Sequence, residues 1–109
     1  MHLKELCQLL TTCNEPIGTL NLSNNMLTDS GLYSLCKALQ SAQVEVIVLA
    51  KNRITEKGLD QVVVMLKANK ELKSIDLTGN LIFSKGLKSK LKSTLSKSGK
   101  YGKGIEVLI

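Results

Sequence analysis

LNLSNNMLTDSGL (residues 20–32) is followed by IVLAKNRITEKGL (47–59) and IDLTGNLIFSKGL (75–87), and the three stretches share one frame. Its fixed point is an asparagine, Asn25, Asn52 and Asn80, at intervals of 27 (52 − 25) and 28 (80 − 52) residues. Counted from that Asn, aliphatic residues fall eight before (Ile17, Val44, Leu72), five before (Leu20, Ile47, Ile75), three before (Leu22, Leu49, Leu77) and two after (Leu27, Ile54, Ile82). Gly31-Leu32, Gly58-Leu59 and Gly86-Leu87 close the frame. Such a period marks a solenoid, in which no unit can bury its apolar side without its neighbours.

Within each unit the hydrophobic period changes once. Leu20-Asn21-Leu22, Ile47-Val48-Leu49 and Ile75-Asp76-Leu77 alternate as a short strand with one buried face does. The Asn side chain both donates and accepts, so it suits a buried bend whose amides and carbonyls would otherwise lack partners. After the Gly, Leu32, Leu35 and Leu39, then Leu59, Val62 and Leu66, follow helical spacing. Thr28 and Thr55, three residues after the Asn, predict helix N-caps.

The stretches LNLSNNMLTDSGLYSLCKAL, IVLAKNRITEKGLDQVVVML and IDLTGNLIFSKGLKSKLKSTL resemble leucine-rich repeats, in particular the long ribonuclease-inhibitor-like subtype. The resemblance runs from Ile17 to Leu95 and is specific for fold rather than function. It implies an α/β, right-handed solenoid forming a short horseshoe arc, with parallel strands on the concave face and helices on the convex face. It also implies that a partner protein is held on the concave side.

Departures from the frame suggest how the array is organised. Leu3, Leu6 and Leu10 lie 29 residues before Leu32, Leu35 and Leu39, so residues 1–16 read as an N-terminal helical cap. Repeats then occupy 17–43, 44–71 and 72–98, with a loop and terminal strand over 99–109, all within one domain. In the third repeat Lys90 stands where Leu35 and Val62 stand, and Phe83 replaces the capping Thr. The expected third helix is therefore shifted, with Leu87, Leu91 and Leu95 as its stripe and Ser84 as its cap. Ser96 to Gly104 reads as a Ser/Gly/Lys loop, and Ile105, Val107 and Ile109 alternate like a strand whose open edge offers pairing to a second copy, a homo-oligomer through the solenoid ends.

The net charge of +6 is concentrated near the C-terminus. Lys85, Lys88, Lys90, Lys92, Lys97, Lys100 and Lys103 face no acid between Asp76 and Glu106, whereas the rest of the chain sums to −1 (8 basic, 9 acidic). Lys85, Lys88 and Lys92 share a helical face and, with Lys100 and Lys103, form a candidate basic patch for nucleic acid or an anionic membrane. Interleaved aromatics and arginines are missing, since Arg53 is the only Arg, and a plain solvated face explains the lysines as well.

Other chemistry has little to stand on. Cys7, Cys13 and Cys36 lack metal-like CxxC spacing, and Cys7 and Cys36, 29 apart, fit small apolar positions on neighbouring helices. His2 is the only histidine. Ser98 to Gly104 has the wrong order and context for a phosphate loop. No nucleophile and base are paired, so an enzyme is not expected, nor a cofactor or metal. No apolar run approaches the roughly 20 residues of a membrane span, and Lys4, Glu5 and Gln8 interrupt the N-terminal apolar pairs, so a cytoplasmic protein is expected.

Function is expected on the outward positions of the strands: Thr19, Asn21 and Ser23, then Val46, Val48 and Ala50, then Ser74, Asp76 and Thr78. Asn21, Ser23, Val46, Val48, Asp76 and Thr78 are the candidate partner-binding residues. Val46 and Val48 are apolar where their neighbours are polar, which suits a desolvated contact, although valine also simply favours strands. Val64, on a helix face where Lys37 stands one repeat earlier, is a second candidate contact.

Overall fold

The computed structural model describes residues 3–94 and 104–109. Helices and strands alternate as α1 (Leu3–Thr12), β1 (Ile17–Asn21), α2 (Asp29–Leu39), β2 (Val44–Val48), α3 (Leu59–Ala68), β3 (Ser74–Asp76), α4 (Lys85–Thr94) and β4 (Glu106–Leu108). A single 3-10 turn, Glu56–Gly58, leads into α3. The four strands make one parallel sheet in chain order. Each crossover carries a helix, so the fold is an α/β solenoid of parallel strands.

The register explains the repeat frame. Leu20 lies beside Ile47, Ile47 beside Ile75 and Ile75 beside Val107, so the aliphatics five before each Asn form one column that β4 extends. Leu32, Leu35, Leu39, Ile47, Leu49, Ile54, Val62, Leu66, Leu72 and Ile75 are fully buried behind the sheet. Each such side chain contributes about 1.5 to 3 kcal/mol through burial. α1 lies against α2, with Leu10 buried and Leu3, Leu6 and Cys7 partly buried against the core.

The Asn positions are not equivalent. Asn52 is buried; its Oδ1 accepts from the amides of Asn25 (3.0 Å) and Leu27 (2.9 Å), while its Nδ2 donates to the carbonyls of Leu22, Leu49 and Ala50. Asn80 repeats the pattern one step on, accepting from the Ile54 amide and donating to Leu49 and Leu77. Each therefore joins its own bend to that of the previous repeat. Asn25 departs from the expectation: no turn precedes it, it is exposed, and its Nδ2 donates to the Ser23 carbonyl. The residue before each Asn is left-handed (Asn24, Lys51, Gly79), which is what lets the chain turn there.

The helix starts differ from the sequence reading in one respect. Thr55 caps as expected, accepting from the Lys57 amide, but Thr28 makes no side-chain cap bond. Its main chain bridges to Arg53, and the next residue, Asp29, instead reaches forward to accept from the Thr55 amide and hydroxyl. That carboxylate ties the first repeat to the second. It also sets the space at Gly58, where an added Cβ would lie 2.5 Å from Asp29 Oδ1.

The third repeat is joined more loosely. Glu56 occupies the place of Asp29, one methylene longer, and Phe83 has no hydroxyl, so the carboxylate is met by main chain alone, chiefly the Phe83 amide at 3.1 Å from Glu56 Oε1. A Cβ at Gly86 would have only Ser84 Oγ within 4 Å, where Gly31 and Gly58 are closely packed. α4 packs on β4 and less closely on α3 than α2 does. Ser84 Oγ accepts from the Leu87 amide, and Leu91 is buried, as the shifted stripe requires. Leu87, however, is 38% exposed rather than buried, because α3 does not close over it. Leu95, the last member of that stripe, and the loop from Ser96 to residue 103 lie outside the described residues.

Candidate partner-binding face

The exposed side of the sheet is ordered by the same register that orders the core. One row runs Thr19, Val46, Ser74, Glu106, and the next Asn21, Val48, Asp76, Leu108. Ser23 and Thr78 follow beyond the strands, whereas Ala50, expected to face outward, is buried. Val46 and Val48 are half-buried and take no part in the hydrophobic core, whose β2 members are Val44 and Ile47. The next apolar side chain in the row of Val48, beyond Asp76, is Leu108, 44% exposed, which the sequence reading did not single out. Its signal was present, as β4 continues the alternation with Ile105 and Val107 inward and Glu106 and Leu108 outward.

The polar candidates are partly occupied by their own turns. Asn21 Oδ1 accepts from the amide and hydroxyl of Ser23, and Asp76 Oδ1 accepts from those of Thr78. These matched turns hold the two side chains through their Oδ1 atoms. Val48 and Ala50 interrupt this pattern. The face is therefore an apolar centre between two rigid polar flanks, with carboxylates at Asp76 and Glu106. Beside it, Lys73 and Glu45 pair at 3.4 Å on the solvent side.

The basic patch lies elsewhere. Lys85 and Lys92 are exposed on α4 and Lys88 is half-buried; Lys100 and Lys103 lie outside the described residues. Glu56 sits below its ordinary carboxyl range, chiefly through the Phe83 amide, with the Lys88 charge as a smaller contribution. The described residues therefore bring together Lys85, Lys88 and Lys92 on one helix, separate from the strand face.

The helical side carries two open grooves. One, of about 700 Å³, lies between α1 and α2 and includes Leu3, Cys7 and Ala38. The other, of about 390 Å³, lies between α3 and α4 and is lined by Leu59, Asp60, Val63, Val64, Leu87, Lys90 and Leu91. Val64, the second candidate contact, thus borders this second groove. Cys36 is buried, and burial pushes its thiol up to about 12, while Cys7 is raised for the same reason. Both behave as small apolar side chains. Among the described residues no group of His, Cys, Asp and Glu could hold a metal ion, and no helix is long and apolar enough to cross a membrane.

A family model for the Leucine Rich Repeat matches residues 17–38, the first strand, turn and helix. The ribonuclease inhibitor of Sus scrofa is 33% identical over 81 residues, covering 72% of this chain. The chain belongs to the leucine-rich-repeat proteins, of the ribonuclease-inhibitor-like type. It spans 18% of that inhibitor's length, so the match carries the repeat and not the whole protein's activity. Among solved structures, the tropomodulin C-terminal domain of Caenorhabditis elegans superposes with a TM-score of 0.73, over 86% of this chain and 57% of that one, at 14% identity. At that identity the likeness is one of fold. The leucine-rich-repeat frame thus accounts for the sheet and the Asn turns, and repeats of this family commonly serve as protein-interaction modules.

Proposed function

We propose that this leucine-rich-repeat chain is a non-enzymatic, cytoplasmic protein-interaction module that holds a partner protein on the strand face. The observation that carries the reading is the pair Val46 and Val48, half-buried in the middle of the sheet yet apart from the core, with Leu108 two strands on in the row of Val48. An apolar centre with fixed polar flanks has the layout of a contact that excludes water at its middle and selects orientation at its rim. Asp76 and Glu106 favour a partner whose contacting rim is basic or neutral. The open edges of β1 and β4 add a route to self-association by strand pairing.

The test is a pull-down from cytosol at low and moderate salt, with nuclease, comparing the native chain with a Val46→Glu/Val48→Glu variant whose circular dichroism matches it. Loss of a salt-resistant protein partner in the variant supports the strand face. Retention by the variant together with loss in salt or nuclease transfers function to Lys85, Lys88 and Lys92, as an electrostatic binder of nucleic acid or anionic lipid. A strictly monomeric mass at high concentration removes the strand-pairing route.

A further inference from the structure

The groove between α3 and α4 marks a place where the solenoid's own packing is incomplete. α2 lies against α3, whereas α4 packs less closely on α3, and four residues show why. Lys90 takes the place of the buried Leu35 and Val62 and lines the groove instead of filling it. Glu56 and Phe83 replace the short Asp29 and Thr55 link with a longer one. Gly86 has open space where Gly58 is tightly packed.

The two walls are built for a helix. Leu59 and Val63 on α3, and Leu87 and Leu91 on α4, are pairs four residues apart; Leu59 and Leu91 are buried, so Val63, Val64 and Leu87 are the apolar side chains open to an incoming helix. Val64 is 53% exposed at the rim of one wall and Leu87 38% exposed on the other. Charge selects the occupant. α4 carries Lys85, Lys88, Lys90 and Lys92 and no acid, while Asp60 is the acidic residue of the opposite wall. A second copy docking groove to groove would set two lysine-rich helices against each other.

We propose that the α3–α4 groove receives an acidic amphipathic helix from a partner protein, its apolar stripe between Val63, Val64 and Leu87 and its carboxylates toward the lysines of α4. The mode is that of a helix laid in an apolar groove, with the flanking charges setting its orientation. This surface is separate from the strand face and does not depend on it.

The probe is a synthetic helical peptide of about 15 residues, long enough to hold a helical stripe, with Leu at helical spacing and Glu on both flanks. A control peptide keeps the Leu stripe and replaces Glu with Lys. Binding to the full chain is followed by fluorescence anisotropy. The acidic peptide is expected to bind and the basic one not. Val64→Glu is expected to weaken binding by about tenfold or more, since it sets a charge against the apolar stripe. Lys90→Glu is expected to weaken binding and flatten its salt dependence, while Val46→Glu/Val48→Glu leaves it unchanged. Two-dimensional amide spectra of each variant establish that it stays folded. No binding of the acidic peptide, binding indifferent to both groove variants, or binding only to phosphatidylserine vesicles overturns the proposal.

Discussion

At the scale of single residues, the three asparagines carry unequal weight although they hold the same place in the repeat frame. Asn52 satisfies two amides and three carbonyls from two successive turns inside the core, whereas Asn25 donates to the neighbouring Ser23 carbonyl at the surface. Replacing Asn52 by Ala removes the partner of the Asn25 and Leu27 amides and of the Leu22 carbonyl, while the Leu49 and Ala50 carbonyls keep the Asn80 side chain and the Asn24 amide; each unsatisfied buried group costs about 1 to 3 kcal/mol. Asn52→Ala is therefore expected to destabilise by at least about 3 kcal/mol, and Asn25→Ala by less than about 1 kcal/mol. Urea unfolding of the two variants checks this, and equal losses would mean that the stacked turn is not the source of the stability. The sequence frame marks all three positions alike because it records what a turn requires locally. What it does not record is whether another turn lies beneath, and that decides burial. Asn69 shows the reverse case: it lies outside the frame, yet its buried Nδ2 donates to the carbonyls of Leu39 and Ala42 across the repeat boundary.

At the scale of elements, the contrast is between the joints α2–α3 and α3–α4. The first is closed by Asp29 bonding Thr55 over a glycine with no spare room; the second has the longer Glu56 contact and open space at Gly86. Gly58→Ala is expected to destabilise by about 1 to 3 kcal/mol, since its Cβ must displace the Asp29 carboxylate that links the repeats. Gly86→Ala meets nothing comparable and is expected to be neutral or stabilising by up to about 1 kcal/mol, as Ala is the better helix former. Thermal unfolding of both variants checks the pair, and similar penalties at the two sites would contradict the open joint. Much of this was legible in the chain: Lys90, Phe83 and Ser84 predict a shifted helix, and Ser84 does bond the Leu87 amide. The groove itself was not, because apolar spacing gives the buried face of each helix but not the distance to its neighbour. Thr28 was misjudged for a related reason, since its main chain joins the bridge to Arg53 and the useful carboxylate belongs to Asp29.

At the scale of the whole molecule, stability is distributed along one dimension, because each repeat touches only the ones beside it. The strand rows of the candidate face were legible as alternation in the sequence, while Leu108 joined them only once β4 was seen pairing with β3. The middle of the array is also its most buried part: Val44, Ile47, Leu49, Ile54, Val62, Met65 and Leu66 are all fully enclosed between neighbours on both sides. α4, by contrast, contributes Leu91 as its buried side chain among the described residues, with Leu87 partly exposed and Lys90 in the groove. Local opening should therefore begin at α4 and end at the central repeat, because opening α4 exposes little apolar surface. Native-state hydrogen exchange is expected to show amides of β2 and α3 exchanging only through global unfolding, with α4 exchanging through a smaller opening at lower free energy. An acidic helical peptide seated in the groove should raise protection in α4 more than in β2, since binding to the closed form stabilises what would otherwise open first. Uniform protection along the chain, in the presence and absence of peptide, would mean that the α3–α4 joint is as firm as the others and that its groove is not an adaptable site.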